Sequence, residues 1–177
     1  PGLHYTLGVM LDESGDPDGA RLAFSEATRL KPDFLQAWNN LGLALESLGR
    51  RDDARHAYQS ALAVDPVYPA ALANLGSLRL AMGDNEGALA DFRRILARDP
   101  ANAPARRKEA QALIALKRLD EARSVLEALL ATGSADGKAI ELIAQACADM
   151  NDNHGAVRWW QRLIAAEPGD GVSARTA

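Results

Sequence analysis

The chain has 177 residues, a formal net charge of −4 at pH 7 and 20 basic side chains dispersed along its length, which argues against a protein that binds nucleic acid by neutralising phosphates. Its one cysteine, Cys147, excludes an internal disulfide framework, and no apolar run reaches the roughly 18 residues of a membrane-spanning helix. The sequence opens at Pro1, directly on a helical pattern, so a native start elsewhere is expected; the compartment stays open, with the cytoplasm favoured and the periplasm as the alternative.

Alanine recurs at Ala20, Ala54, Ala88, Ala122 and Ala156, every 34 residues without an insertion or deletion. A strict period of this length marks a stack of equal two-helix repeats and not a single globule. In the same frame a small residue stands twelve places before each alanine (Gly8, Gly42, Gly76, Ala110, Ala144), and a large one four places after it (Phe24, Tyr58, Phe92, Leu126, Trp160). The repeats are 1–34, 35–68, 69–102, 103–136 and 137–170, with 171–177 as a tail.

In the first repeat, Asp16-Pro17 is an N-cap signal with proline at the first helical position, where its missing N–H costs nothing. In the second, Trp38, Leu41, Leu45 and Leu48 recur at helical spacing and predict a helix A over 35–48. Gly49 stops it, and Ala54, Tyr58, Ala61 and Leu62 predict a helix B over 52–64. Small residues at 42 and 54 let the two backbones approach, and the ring at 58 fills the space beside them. Asp84 signals the cap in the third repeat. Pro32, Pro66, Pro100 and Pro168 end each helix B, with Ser134 the exception. Arg79, Arg106 and Glu109 occupy places that are normally apolar, and Glu109 is expected to bridge at least one of the arginines.

Candidate chemistry is sparse. Gly133 to Lys138 resembles a phosphate-binding loop but is one residue short and has Ala139 where serine or threonine would hold magnesium; an inter-repeat turn is the expected reading. His4, His56 and His154 fall at different places in the frame and have no metal-ligand spacing. Asp52-Asp53 and Asp120-Glu121 suit the positive end of helix B. Cys147 takes the place of Leu11, Leu45 and Leu113 and reads as a core thiol. Neither catalysis nor a cofactor is expected within these residues.

The frame resembles the tetratricopeptide repeat (TPR) family, most closely in the second repeat with Trp38, Leu41-Gly42, Ala54, Tyr58, Ala61 and Pro66. The resemblance implies an all-α, right-handed α-solenoid (a superhelix) of five tandem helix-turn-helix units. It also implies a non-catalytic scaffold that binds an extended peptide or a helix of a partner protein in a concave groove. By resemblance helix A lines that groove, with Asn39, Asn40 and Leu43 from the second repeat, Asn74 and Ser77 from the third, and Arg107, Lys108 and Gln111 from the fourth. Tyr5 of the first repeat and Lys138, Glu141, Leu142 and Gln145 of the fifth face the same way.

Asn39-Asn40-Leu41-Gly42, with Asn74 before Leu75-Gly76, looks like the arrays of O-GlcNAc transferases and their bacterial relatives, where an asparagine ladder reads a peptide backbone. A carboxamide offers a donor and an acceptor together, which matches a peptide unit. Thr6, Lys108 and Leu142 interrupt the ladder, and the alternative is that these asparagines pair only with a neighbouring helix. The clamp that another subfamily uses for the carboxylates of heat-shock chaperones matches Asn74 and Lys108 but not Asn39, Leu43 or Pro104. Two further alternatives for the whole are the substrate-recruiting region of a larger enzyme such as a glycosyltransferase, and a self-assembling homo-oligomer. The second would use Trp159, Trp160, Leu163 and Ile164, expected as an uncovered apolar patch on the last helix.

Overall fold

The computed structural model describes residues 1–131 and 137–166, with side chains for all of these except 153 and 162–166. The described residues form ten α-helices and no strand, the all-α repeat fold expected from the period. They divide into an N-terminal body, Pro1–Asn102, and a C-terminal body from Ala103 onward. The first holds α1 (Gly2–Glu13), α2 (Pro17–Leu30), α3 (Leu35–Ser47), α4 (Arg51–Val64), α5 (Pro69–Met82) and α6 (Asn85–Arg98). The second holds α7 (Ala103–Ala115), α8 (Leu119–Ala131), α9 (Gly137–Asp149) and α10 (Asn153–Ala166).

Local chemistry sets the helix ends. Gly15, Gly49 and Gly83 close helix A with φ of 79°, 72° and 83°, the left-handed region that only glycine enters without cost. Lys117 and Asn151 stand in the same register place and take φ of 60° and 59°. Helix B opens in two alternating ways. Asp16, Asp84 and Asp152 each accept a hydrogen bond from the backbone N–H three residues on, at 2.9, 3.0 and 2.9 Å. The residue there is glycine each time, because a Cβ would run into the capping carboxylate. In the second and fourth repeats the cap place is Arg50 or Arg118, which donates to Asp53 at 2.7 Å or to Glu121 at 2.6 Å. Helix B ends at Leu30, Val64 and Arg98, just before Pro32, Pro66 and Pro100. Ser134, the rest of 132–136, Pro168 and the tail lie outside the described residues.

In the N-terminal body each helix A packs on its own helix B, each helix B on the next helix A, and α1, α3 and α5 touch in succession. The small-residue places work as the sequence implies. A Cβ on Gly8 would lie 2.6 Å from the Phe24 ring and one on Gly76 2.8 Å from the Phe92 ring, and Gly42 meets Tyr58 in the same way. Two pairs span a hairpin at a separation of twelve residues. The Tyr58 hydroxyl donates to Glu46 Oε1 at 2.5 Å; burial, then the Glu46 carboxylate, holds that phenol well above its ordinary range. Arg79 Nη1 donates to Asp91 Oδ2 at 2.5 Å, and Arg79 Nε lies 3.3 Å from Asp84. Arg79 therefore has acidic partners inside its own hairpin.

On α1, Leu3, Leu7 and Met10 are exposed, whereas their register mates Ala37, Leu41 and Ala44 on α3 and Ala71, Leu75 and Leu78 on α5 are buried. The difference is the helix B of a preceding repeat, α2 for α3 and α4 for α5.

In the C-terminal body α7 packs with α8, α8 with α9, α9 with α10, and α7 with α9. Its core gathers Ala110, Leu126, Leu129, Leu130, Ile140, Ile143 and Cys147. Ala110 with Leu126 replaces the glycine and ring of earlier repeats, and both are fully buried. Cys147 is the core thiol expected, with burial pushing its pKa up. The fifth repeat departs from the frame. Trp160, in the place of buried Phe24, Tyr58 and Phe92, is 44% exposed. An indole is larger than a phenyl ring, and this repeat has Ala144 where the three repeats with buried rings have glycine, so the hairpin lacks the room. Of the apolar patch expected on α10, Trp160 and neighbouring Val157 are exposed, while Trp159 is half-buried against the core. The side chains of Leu163 and Ile164 lie outside the described residues.

Candidate functional site

The helix A side of the N-terminal body carries a chain of carboxamides. Asn74 Nδ2 on α5 donates to Asn39 Oδ1 on α3 at 2.9 Å. Asn39 Nδ2 donates to Asn40 Oδ1 at 3.3 Å, and Asn40 Nδ2 donates to the Tyr5 hydroxyl on α1 at 3.2 Å. The three helices are thereby linked by one directional relay, made possible because helix A of each repeat lies against the next. Asn39 is the buried member, 6% exposed. Asn40 and Asn74 are half-buried. Asn74 Oδ1 accepts no hydrogen bond among the described residues. Leu43 is 40% exposed one turn along α3, and Ser77 is half-buried one turn along α5. The pairing of asparagines with neighbouring helices, weighed as the alternative to a ladder, is thus present; it leaves two of the three amides partly open.

Arg107, Lys108 and Gln111 lie in the C-terminal body, where they line a concave pocket of about 570 Å³ together with Pro104, Lys138, Glu141, Leu142, Gln145 and Trp160. The first four of these nine along the chain come from α7, the next four from α9, and the indole from α10. Lys108 occupies the register place of Asn40 and Asn74, so an ammonium group stands where the N-terminal body presents an amide. Gln145 Nε2 donates to Asp149 at 2.8 Å, which turns its carbonyl end away from that carboxylate.

Sequence reasoning placed Arg107, Lys108, Gln111, Lys138, Glu141, Leu142 and Gln145 on the groove through helix A register, but assigned Trp160 to an uncovered patch on the last helix and not to the groove. The available signal was the mismatch of a tryptophan opposite alanine in the frame. It also missed that Asn39 is a buried support, since carboxamides at neighbouring places look alike in sequence. Among the described residues no group of three or more His, Cys, Asp or Glu could hold a metal ion, and no described helix is long and apolar enough to cross a membrane.

Models of the tetratricopeptide repeat match the sequence over residues 5–69 and 46–103 and over 79–146. No curated protein sequence matches the chain. Among solved structures, MamA is similar with a TM-score of 0.87 at 20% identity, over 94% of this chain and 91% of that one. A portion of MamA from Desulfovibrio magneticus RS-1 has a TM-score of 0.87 at 18% identity, over 94% of each chain. A tetratricopeptide repeat protein from Parabacteroides merdae has a TM-score of 0.88 at 22% identity, over 96% of this chain and 67% of its own. At these identities the likeness is one of fold.

Proposed function

This chain belongs to the tetratricopeptide repeat family, a family of protein-interaction scaffolds, and on that premise we propose that the helix A face binds an extended peptide segment of a partner protein. The observation that carries the reading is the relay from Asn74 through Asn39 to Asn40 and Tyr5. It orients two half-exposed amides in advance, so little side-chain entropy is lost when a peptide backbone pairs with them. In this reading Asn40 and Asn74 contact the peptide and Asn39 holds them in place. Leu43 and Ser77 flank the contact, and Arg107, Lys108 and Gln111 offer a second, basic stretch.

The test is a partner captured by the intact chain, mapped to a peptide and titrated against wild type and Asn40→Ala/Asn74→Ala. Each lost amide bond is worth about 0.5–1.5 kcal/mol, so binding weakens roughly 5- to 150-fold in the double variant, with the cooperative melting transition retained. Unchanged affinity in a folded double variant overturns the amide contact.

A further inference from the structure

The pocket of the C-terminal body is set apart by its charge. Its lining has Arg107, Lys108 and Lys138 against the single carboxylate of Glu141, on a chain whose net charge is −4. The corresponding helix A places in the first three repeats, Gly2, Tyr5 and Thr6, Gln36, Asn39 and Asn40, and Ala70, Ala73 and Asn74, carry no cation at all. Among the described residues Lys108 and Lys138 make no ion pair. Trp160 adds an exposed indole wall at a place whose side chain the other four repeats keep inside the hairpin. A volume of about 570 Å³ is in the range of sites that enclose a few side chains.

We propose that this pocket anchors an acidic segment of a partner polypeptide. An aspartate or glutamate carboxylate sits between the Lys108 and Lys138 ammonium groups beside the Arg107 guanidinium, and a neighbouring apolar side chain lies on the Trp160 indole. Gln111 is placed to pair with the segment's backbone. The proposal deepens the groove reading, on which it rests, by naming the chemistry of the partner. A nucleic acid has the right sign but fits less well, because three cations neutralise few phosphates and Glu141 repels them. A peptide carries one or two carboxylates with apolar side chains between them, which matches a pocket of mixed basic and indole lining.

The test uses the full chain and a fluorescein-labelled peptide of alternating glutamate and leucine, with its glutamine-leucine and lysine-leucine counterparts and a single-stranded oligonucleotide. In anisotropy titrations the acidic peptide binds best, and its affinity falls as salt is raised from about 0.05 to about 0.5 M. Lys108→Glu/Lys138→Glu lowers that affinity at least about tenfold without lowering the melting temperature, and Trp160→Ala lowers it several-fold. If the charge reversal disturbs folding, Lys108→Gln/Lys138→Gln provides the same comparison. The proposal is overturned if the acidic peptide does not bind, if the glutamine peptide binds as tightly, if the folded lysine variant keeps full affinity, or if the oligonucleotide displaces the probe better than unlabelled peptide does. Parallel titration of Asn40→Ala/Asn74→Ala separates the two readings. Loss only in that variant removes the pocket and keeps the amide groove, whereas loss only in the lysine variant does the reverse.

Discussion

Replacing Asp91 with alanine isolates the most unusual contact of the N-terminal body. Asp91 is 2% exposed on α6 and accepts from Arg79 Nη1 at 2.5 Å across the α5–α6 hairpin. Its other cation, Arg94, lies 3.7 Å away. Breaking a fully buried pair costs about 3–5 kcal/mol, because the remaining charge is left without its partner in a low dielectric. Arg79 is less extreme, with a side chain 21% exposed and Asp84 still 3.3 Å from its Nε, so Asp91→Ala should cost about 2–3 kcal/mol. In a chain of this size that is a fall in melting temperature of roughly 5–10 °C.

The decisive comparison is Arg79→Leu/Asp91→Ala. It copies Leu45 and Ala57, which fill the same two places in the preceding repeat and are buried. The double variant should return to within about 1 kcal/mol of wild type or exceed it, since a well-packed apolar pair avoids the desolvation of two charges. The coupling energy of the cycle should then be about 2 kcal/mol or more. Burial holds the Asp91 carboxyl above its ordinary value of 3.8 despite the opposing pull of Arg79. A raised folded pKa gives stability that is complete below the unfolded pKa and is lost as pH rises through the folded one. The double variant should therefore gain on wild type as pH rises upward from about 4. Urea and thermal unfolding followed by circular dichroism measure each step. An Asp91→Ala change within about 0.5 kcal/mol of wild type, or a double variant less stable than both singles, would refute the argument.

The remaining outcomes follow from local geometry. Lys117 holds a left-handed φ of 60° where three other repeats have glycine, so Lys117→Gly should raise stability by about 0.5–1 kcal/mol; a lower urea midpoint would contradict this. Asn151→Gly should gain less, because asparagine tolerates that region. Gly42→Ala drives a methyl into the Tyr58 ring and should cost about 1–3 kcal/mol. Adding Tyr58→Leu should recover more than half of the loss by reproducing the Ala110 and Leu126 pair of the fourth repeat; no recovery in the melting curve would show that the ring is not the obstacle.

The sequence alone determined everything that depends on short-range periodicity: the 34-residue frame, α3 and α4 to within a residue at each end, the glycine stops, the aspartate caps, the prolines after helix B and the close approach at Gly8, Gly42 and Gly76. These follow from interactions within one hairpin, and the hairpin is written out five times, so each position is cross-checked by its register mates. The tertiary structure decided which polar groups meet. Arg79 stood out in the frame as a cation at an apolar place, but its partner lies twelve residues on, across the turn, and only the packing of α5 on α6 shows that Asp91 answers it. Asn39 and Asn40 are adjacent and identical in kind, yet a helix turns successive side chains by about 100°, which buries the first and leaves the second half-open. Trp160 kept its place in the frame while losing its place in the core, because the space inside a hairpin is set by both helices, and Ala144 had already taken part of it.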